Sequence, residues 1–136
     1  MYKKAYILIY ANRYKMAKYD KINFRPPMDV RKAAKKGLEL RKKFGRGGLS
    51  SKIAGKLGIG SGIVRAANLS KGTKMAPRTV KRMKNYFSRH QKDKRPGWSN
   101  SKNPTNGYIA WLLWGGDPGR RWANKIVKEM DKEDRK

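Results

Sequence analysis

The sequence contains no cysteine and a single histidine. The first absence removes disulfides, thiolate zinc sites and a thiol nucleophile together. The second, with only nine Asp and Glu scattered through 136 residues, leaves few metal ligands, and no metal or other cofactor is expected. Long apolar runs are missing too. The N-terminal run Ala5 to Ala11 has seven residues, where a membrane-spanning helix needs about 20, so no membrane association is expected. The Asn12-Arg13-Tyr14-Lys15 that follows is unlike the cleavage region of a signal peptide. The run reads instead as a short strand or part of a basic arm, with Met16 a second candidate start, and Pro26-Pro27 closes the segment.

What the chain has in excess is positive charge. It carries 36 Lys and Arg, for a formal net charge of +27. A field of that size draws polyanions, meaning nucleic acid, an acidic membrane surface or an acidic protein, and nucleic acid is the first expectation. The charge is uneven: residues 1–48 carry 15 basic and 3 acidic side chains, residues 49–97 carry 13 and 1, and residues 98–136 carry 8 and 5. Trp98, Trp111, Trp114 and Trp122 all lie in the last stretch. One part of the chain packs, and the other attracts.

Three amphipathic helices follow from placing residues at about 100° per position. Over about Asp29 to Phe44, one face collects Val30, Ala33, Ala34, Gly37, Leu38, Leu40 and Phe44, with Asp29 as cap and Gly45 as stop. The opposite face carries Arg31, Lys32, Lys35, Lys36, Lys42 and Lys43, broken only by Glu39. Over Pro77 to His90, Val80, Met83 and Phe87 face one way and Arg78, Lys81, Arg82, Asn85 and Arg89 the other. Over Pro118 to Lys132, with Asp117 as cap and Pro118 at the first position, Trp122, Ala123, Ile126, Val127 and Met130 form the buried stripe. Shorter helices are read over Gly62 to Leu69 and Thr105 to Trp114, the latter nearly apolar all round and ended by Gly115-Gly116. Gly45 to Gly62 holds seven glycines and reads as a loop enclosing at most a turn of helix around Ser51 to Leu57. The expected fold is all-α: a single-domain bundle of four to five helices over residues 28–132, with a basic arm over 1–27 and a frayed tail over 133–136.

Several residues invite chemistry and are weighed against simpler roles. Gly45-Arg46-Gly47-Gly48 could form an anion nest with Arg46 on a phosphate, but it lacks the spacing of a nucleotide-binding loop, and a helix stop followed by a turn explains it as well. Arg41 falls inside an apolar arc and needs a partner, with Asp117 or helix carbonyls as candidates. His90 ends its helix, where a capping role suits the dipole. A small nuclease using His90 and Asp117 would lack the carboxylates that metal-assisted phosphodiester chemistry gathers, so no enzymatic activity is expected. Trp111, Trp114 and Trp122 have helical spacing and read as core, whereas Trp98, between Pro96-Gly97 and Ser99-Asn100, reads as the surface aromatic for stacking a base. The strongest signal is the helix over Pro77 to His90. Arg78, Lys81, Arg82 and Arg89 fall within about 100° of arc, and that polar face contains no acid, whereas ordinary solvated faces mix signs.

The strings Ala34 to Gly48, Thr79-Val80-Lys81-Arg82-Met83 with Phe87-Ser88-Arg89-His90, and Ile109 to Asp117 with Gly119, Trp122 and Ala123 resemble a small basic domain found in tailed-bacteriophage, including cyanophage, and prophage proteins. The resemblance spans roughly residues 33 to 125. Leu49 to Ser61 departs from it as an insertion, and Ala76 stands where a Ser before the Pro is usual. It implies a viral origin rather than a mechanism. The expectation is a phage-encoded, largely sequence-independent binder of nucleic acid phosphates, DNA before RNA, acting in DNA condensation, packaging or interference with host transcription in the host cytoplasm at the nucleoid. The contacts would be Arg31, Lys35, Lys36, Lys42, Lys43, Arg46, Arg78, Lys81, Arg82, Arg89 and Trp98. The alternative is a virion or assembly protein whose basic surface meets an acidic phage or host protein or the packaged genome.

Overall fold

The computed structural model describes residues 18–47 and 62–136. The apolar run Ala5 to Ala11 and the turn at Ser51 to Leu57 lie outside them. The described chain is all-α: α1 (Met28–Phe44), α2 (Gly62–Lys71), α3 (Pro77–His90), α4 (Asn106–Leu113) and α5 (Gly116–Asp134), with a single 3-10 turn, Gln91–Asp93, after α3.

Helix α1 is the hub, packing against α2, α4 and α5, while α3 lies chiefly on α5. Each helix buries the stripe its periodicity defines. Val30 and Ala34 of α1, Val80, Met83 and Phe87 of α3, and Trp122, Ala123, Ile126, Val127 and Met130 of α5 meet Leu69, Tyr86 and Trp111 in the main core. A smaller cluster joins Ala66, Ile109 and Leu113, flanked by Leu38, Leu40 and Phe44. Gly37 lets α1 and α4 approach closely, because a Cβ there would come within 2.8 Å of the Leu113 backbone nitrogen.

The helix ends differ in detail from the sequence expectation. Pro27, not Asp29, occupies the N-cap of α1; Asp29 sits in the first turn and accepts the Val30 amide at 2.8 Å. Helix α5 begins at Gly116, two residues before Pro118, so Asp117 is a first-turn acid and not the cap. Gly115 and Gly116, at φ 113° and 65°, make the α4–α5 corner, a left-handed path open to glycine at little cost. Gly45 ends α1 at φ 65° as expected.

Part of the segment expected as an arm belongs to the domain. Ile22 and Phe24 are buried in the main core, and the Met75 amide donates to the Phe24 carbonyl at 2.9 Å. The C-terminal end is tied to the same segment: the Tyr19 hydroxyl donates to Asp134 at 2.7 Å, and Lys18 pairs with Asp134 at 3.0 Å. That bond, aided by burial and the charges of Asp134 and Asp131, pushes the Tyr19 phenol up to about 12.

Candidate nucleic-acid interface

Helix α3 sets out its charge by burying the other side. With Val80, Met83, Tyr86 and Phe87 packed inward, Arg78, Lys81, Arg82, Asn85 and Arg89 are all exposed, as their spacing predicts. Four cations thus follow one another along three turns on a rigid, well-anchored element. The face has no acid of its own, but in space Lys81 lies near enough to Asp134 to help hold that carboxyl below its ordinary range, after the hydrogen bonds from Tyr19 and Lys18.

The other expected contacts divide. Lys35, Lys36, Lys42 and Lys43 are exposed on α1. Two of them cover rings at the same time, Lys36 Nζ 5.8 Å from the Tyr108 centroid and Lys43 Nζ 5.3 Å from that of Phe44. Arg31 is half-buried: its Nε donates to the Pro26 carbonyl at 2.8 Å, and its guanidinium fills the space a side chain at Gly72 would need. Arg46 donates to Asn103 Oδ1 at 2.6 Å and to the Pro104 carbonyl at 2.8 Å, while the Gly47 amide donates to Asn106 at 2.6 Å. Arg31 fastens a helix to the loop before it, and Arg46, which remains exposed, fastens one loop to another, each through donors a phosphate would otherwise take.

Trp98 is not the free ring its sequence context suggests. It is half-buried against the core, edge-on to Tyr108 at 5.1 Å and to Trp111 at 5.8 Å. Its carbonyl accepts the Thr105 amide at 3.0 Å. Apolar periodicity cannot reveal such a contact, because it arises from a loop folding back over α4. Trp111 is buried as expected, and its Nε1 donates to Asp117 at 3.0 Å.

Asp117 also receives Lys94 Nζ at 2.7 Å, which makes it the anchor of Trp111 and Lys94. Burial alone would raise the Asp117 carboxyl. The hydrogen bonds from Lys94 and Trp111, with the charges of Lys94 and Arg121, more than offset that, and the net shift is downward. His90 Nδ1 meets Asp93 Oδ2 at 2.9 Å. His90 and Asp117 are therefore each engaged with a different partner. Among the described residues, no three His, Asp or Glu side chains gather as a metal site would require.

Since the Asp117 and Asp134 carboxyls both lie low in the folded chain, each contributes stability above the unfolded value, about 3.9 for Asp, and loses it as pH falls through the folded value. The melting temperature should hold from neutral pH to about pH 5 and drop below about pH 4. Asp117→Asn, which keeps a carbonyl for Trp111, should flatten part of that drop; an acid limb identical to that of the parent protein would show that the charge on Asp117 contributes nothing.

The structure adds a group that sequence reading did not single out. The Arg65 guanidinium of α2 lies 3.3 Å from the Trp114 ring centroid, Trp114 stacks on Tyr86 at 4.4 Å and 7°, and Tyr86 stacks on His90 at 4.5 Å and 25°. Burial draws the Arg65 guanidinium down to about 10, partly offset by Tyr86 and reinforced by the like charge of Arg82. It therefore remains a cation at neutral pH. Burial likewise pushes the Tyr86 phenol up. Arg65 Nε and the Tyr86 hydroxyl are buried without a hydrogen-bond partner. The one hint in the sequence was a lone Arg inside the short apolar helix Gly62 to Leu69.

No protein-family model, curated protein or solved structure matches this chain. Its functional reading therefore rests on its own geometry and charge.

Proposed function

We propose that the protein binds nucleic acid through the phosphate backbone, largely without regard to sequence, with duplex or single-stranded DNA preferred to RNA. The observation that carries the reading is the exposed face of α3, where Arg78, Lys81, Arg82 and Arg89 are offered by a helix whose opposite face is locked in the core. Cations spread over three helical turns suit a polyphosphate track, because phosphates recur along a strand and neutralising them releases condensed counterions. The exposed Lys35, Lys36, Lys42 and Lys43 of α1 extend the positive surface. Asn85 is the one amide set among these cations, so apart from an Arg on guanine the face offers little for base-edge readout.

The role proposed for this activity is DNA condensation, packaging or interference with host transcription, at the host nucleoid or in the virion. Binding, not catalysis, is the proposed activity. No helix of the described residues is long and apolar enough to cross a membrane.

Salt titration of duplex binding tests the proposal. The logarithm of the association constant should fall linearly with the logarithm of salt concentration, with a slope of about −0.9 for each phosphate contacted. Several contacts give a slope steeper than about −3. Affinity that hardly changes between low and moderate salt would overturn the phosphate reading and favour an acidic protein partner in a virion or assembly.

A further inference from the structure

Helix α3 ends in a half-buried ring backed by a stack. Tyr86 and His90 are four residues apart, so their side chains share one side of the helix. Trp114 is covered by Arg65 and by Tyr86, and Tyr86 by Trp114 and His90. His90 is where the run of planar groups stops. Its side chain is 40% exposed, and among the described residues no ring other than Tyr86 stacks on it.

We propose that His90 is the stacking platform for an unpaired base, so that the protein binds single-stranded DNA more tightly than duplex of equal length. Three observations support this. The imidazole is held from two directions, by Tyr86 against its face and by Asp93 at 2.9 Å from Nδ1, so little freedom remains to be lost when a base settles on it. Cations border it along the chain: Arg89 precedes it, Lys92 and Arg95 follow, and all three are exposed. An aromatic face among cations that track the backbone is the arrangement by which proteins hold single strands without reading sequence. The competing aromatic, Trp98, is half-buried like His90 but packs against two rings, Tyr108 and Trp111, where His90 meets one. In a duplex the bases stack on one another, so an exposed ring finds no free face to meet.

This inference rests on the phosphate-binding reading, and the experiment separates the two. Binding of oligo-dT and of duplex DNA would be measured across a salt series for the parent protein, His90→Ala, His90→Phe and Asp93→Asn. The parent should favour oligo-dT over duplex of equal length. His90→Ala should weaken oligo-dT binding by about 5- to 150-fold, the range that one base–aromatic stack supplies, and change duplex binding by less than about twofold, since no phosphate contact is lost. Its salt slope on oligo-dT should stay that of the parent, with the line displaced downward, because stacking releases no counterions. His90→Phe, which keeps a planar ring, should restore most of the loss. Asp93→Asn, which keeps the imidazole, should retain most of the oligo-dT affinity.

Oligo-dT binding by His90→Ala equal to that of the parent would overturn the stacking role, and so would a loss shared equally by duplex with a shallower slope. Failure of His90→Phe to restore binding while its melting temperature matches the parent would overturn it as well. In each of those results, duplex binding with a steep salt slope by the parent would leave the phosphate reading standing. Absence of salt-dependent binding to either DNA would remove both.

Discussion

Trp111→Ala should leave the protein barely folded. Trp111 is 1% exposed and touches three other rings, with Phe87 edge-on at 4.7 Å, Trp98 at 5.8 Å and Tyr86 at 6.2 Å. Lys94 Nζ sits 4.8 Å from its centroid, and its Nε1 is bonded to Asp117. Truncating a large core aromatic costs about 3–5 kcal/mol, through lost transfer energy and the cavity left behind. A small domain has only about 5–15 kcal/mol in total, so the loss removes a large share of it. Neighbours cannot collapse into the space easily, since Phe87 and Tyr86 are held by α3, and Trp98 by its own carbonyl bond to Thr105. The check is denaturant unfolding of Trp111→Ala beside Trp98→Ala. Because Trp98 is half-buried, its truncation should cost less than that of Trp111 but more than a surface change. A Trp111→Ala variant as stable as its parent would mean that the aromatic cluster is not the centre of the core.

How much of this was legible beforehand depends on the range of the interaction. The stripe Val80, Met83 and Phe87 could be read from spacing alone, because burial of one helix face is a local periodic property, and the exposure of Arg78, Lys81, Arg82 and Arg89 follows from it. The bounds of α3 matched for the same reason, with Pro77 fixing the start. Arg31 fell on the polar side of its helix and Arg46 in a Gly-rich turn, and both were expected to meet phosphate; Arg31 is half-buried, and Arg46, though exposed, is hydrogen-bonded. Arg31 turns back to Pro26, five residues earlier in the chain, whereas Asn103 and Pro104 lie in a loop that returns from elsewhere, and no periodicity encodes either contact. The Arg65, Trp114, Tyr86 and His90 stack is drawn from two helices and the end of a third, so only the Tyr86–His90 spacing of four was visible in the sequence. Asp117 was read as a cap because Pro118 follows it, but the left-handed Gly115 let α5 start earlier and turned the carboxylate toward Trp111 and Lys94.

Replacing Arg78, Lys81, Arg82 and Arg89 together by Gln should weaken duplex binding on the order of 100- to 1000-fold near physiological salt and lower the salt slope by about 3 to 4 units, since each phosphate contact contributes about 0.9. Folding should be nearly unaffected, because exposed substitutions away from special features usually fall within about 0.5 kcal/mol. Two opposing local effects support that expectation. Lys81→Gln removes a charge that favours the ionised Asp134, whereas Arg82→Gln relieves the like charge beside the buried Arg65 guanidinium. The change in slope matters more than the change in affinity. A general loss of net charge, from +27 to +23 in this variant, also weakens attraction at long range, so the control is four Gln substitutions at exposed Lys125, Lys128, Lys132 and Arg121 on the outer side of α5, which lower the charge equally. If the α3 face is the phosphate track, its variant should lose several units of slope and the α5 control few. Equal losses would mean that charge acts diffusely and that no face is dedicated to the backbone. A variant that melts well below its parent would mean that the α3 face is itself packed against another part of the chain.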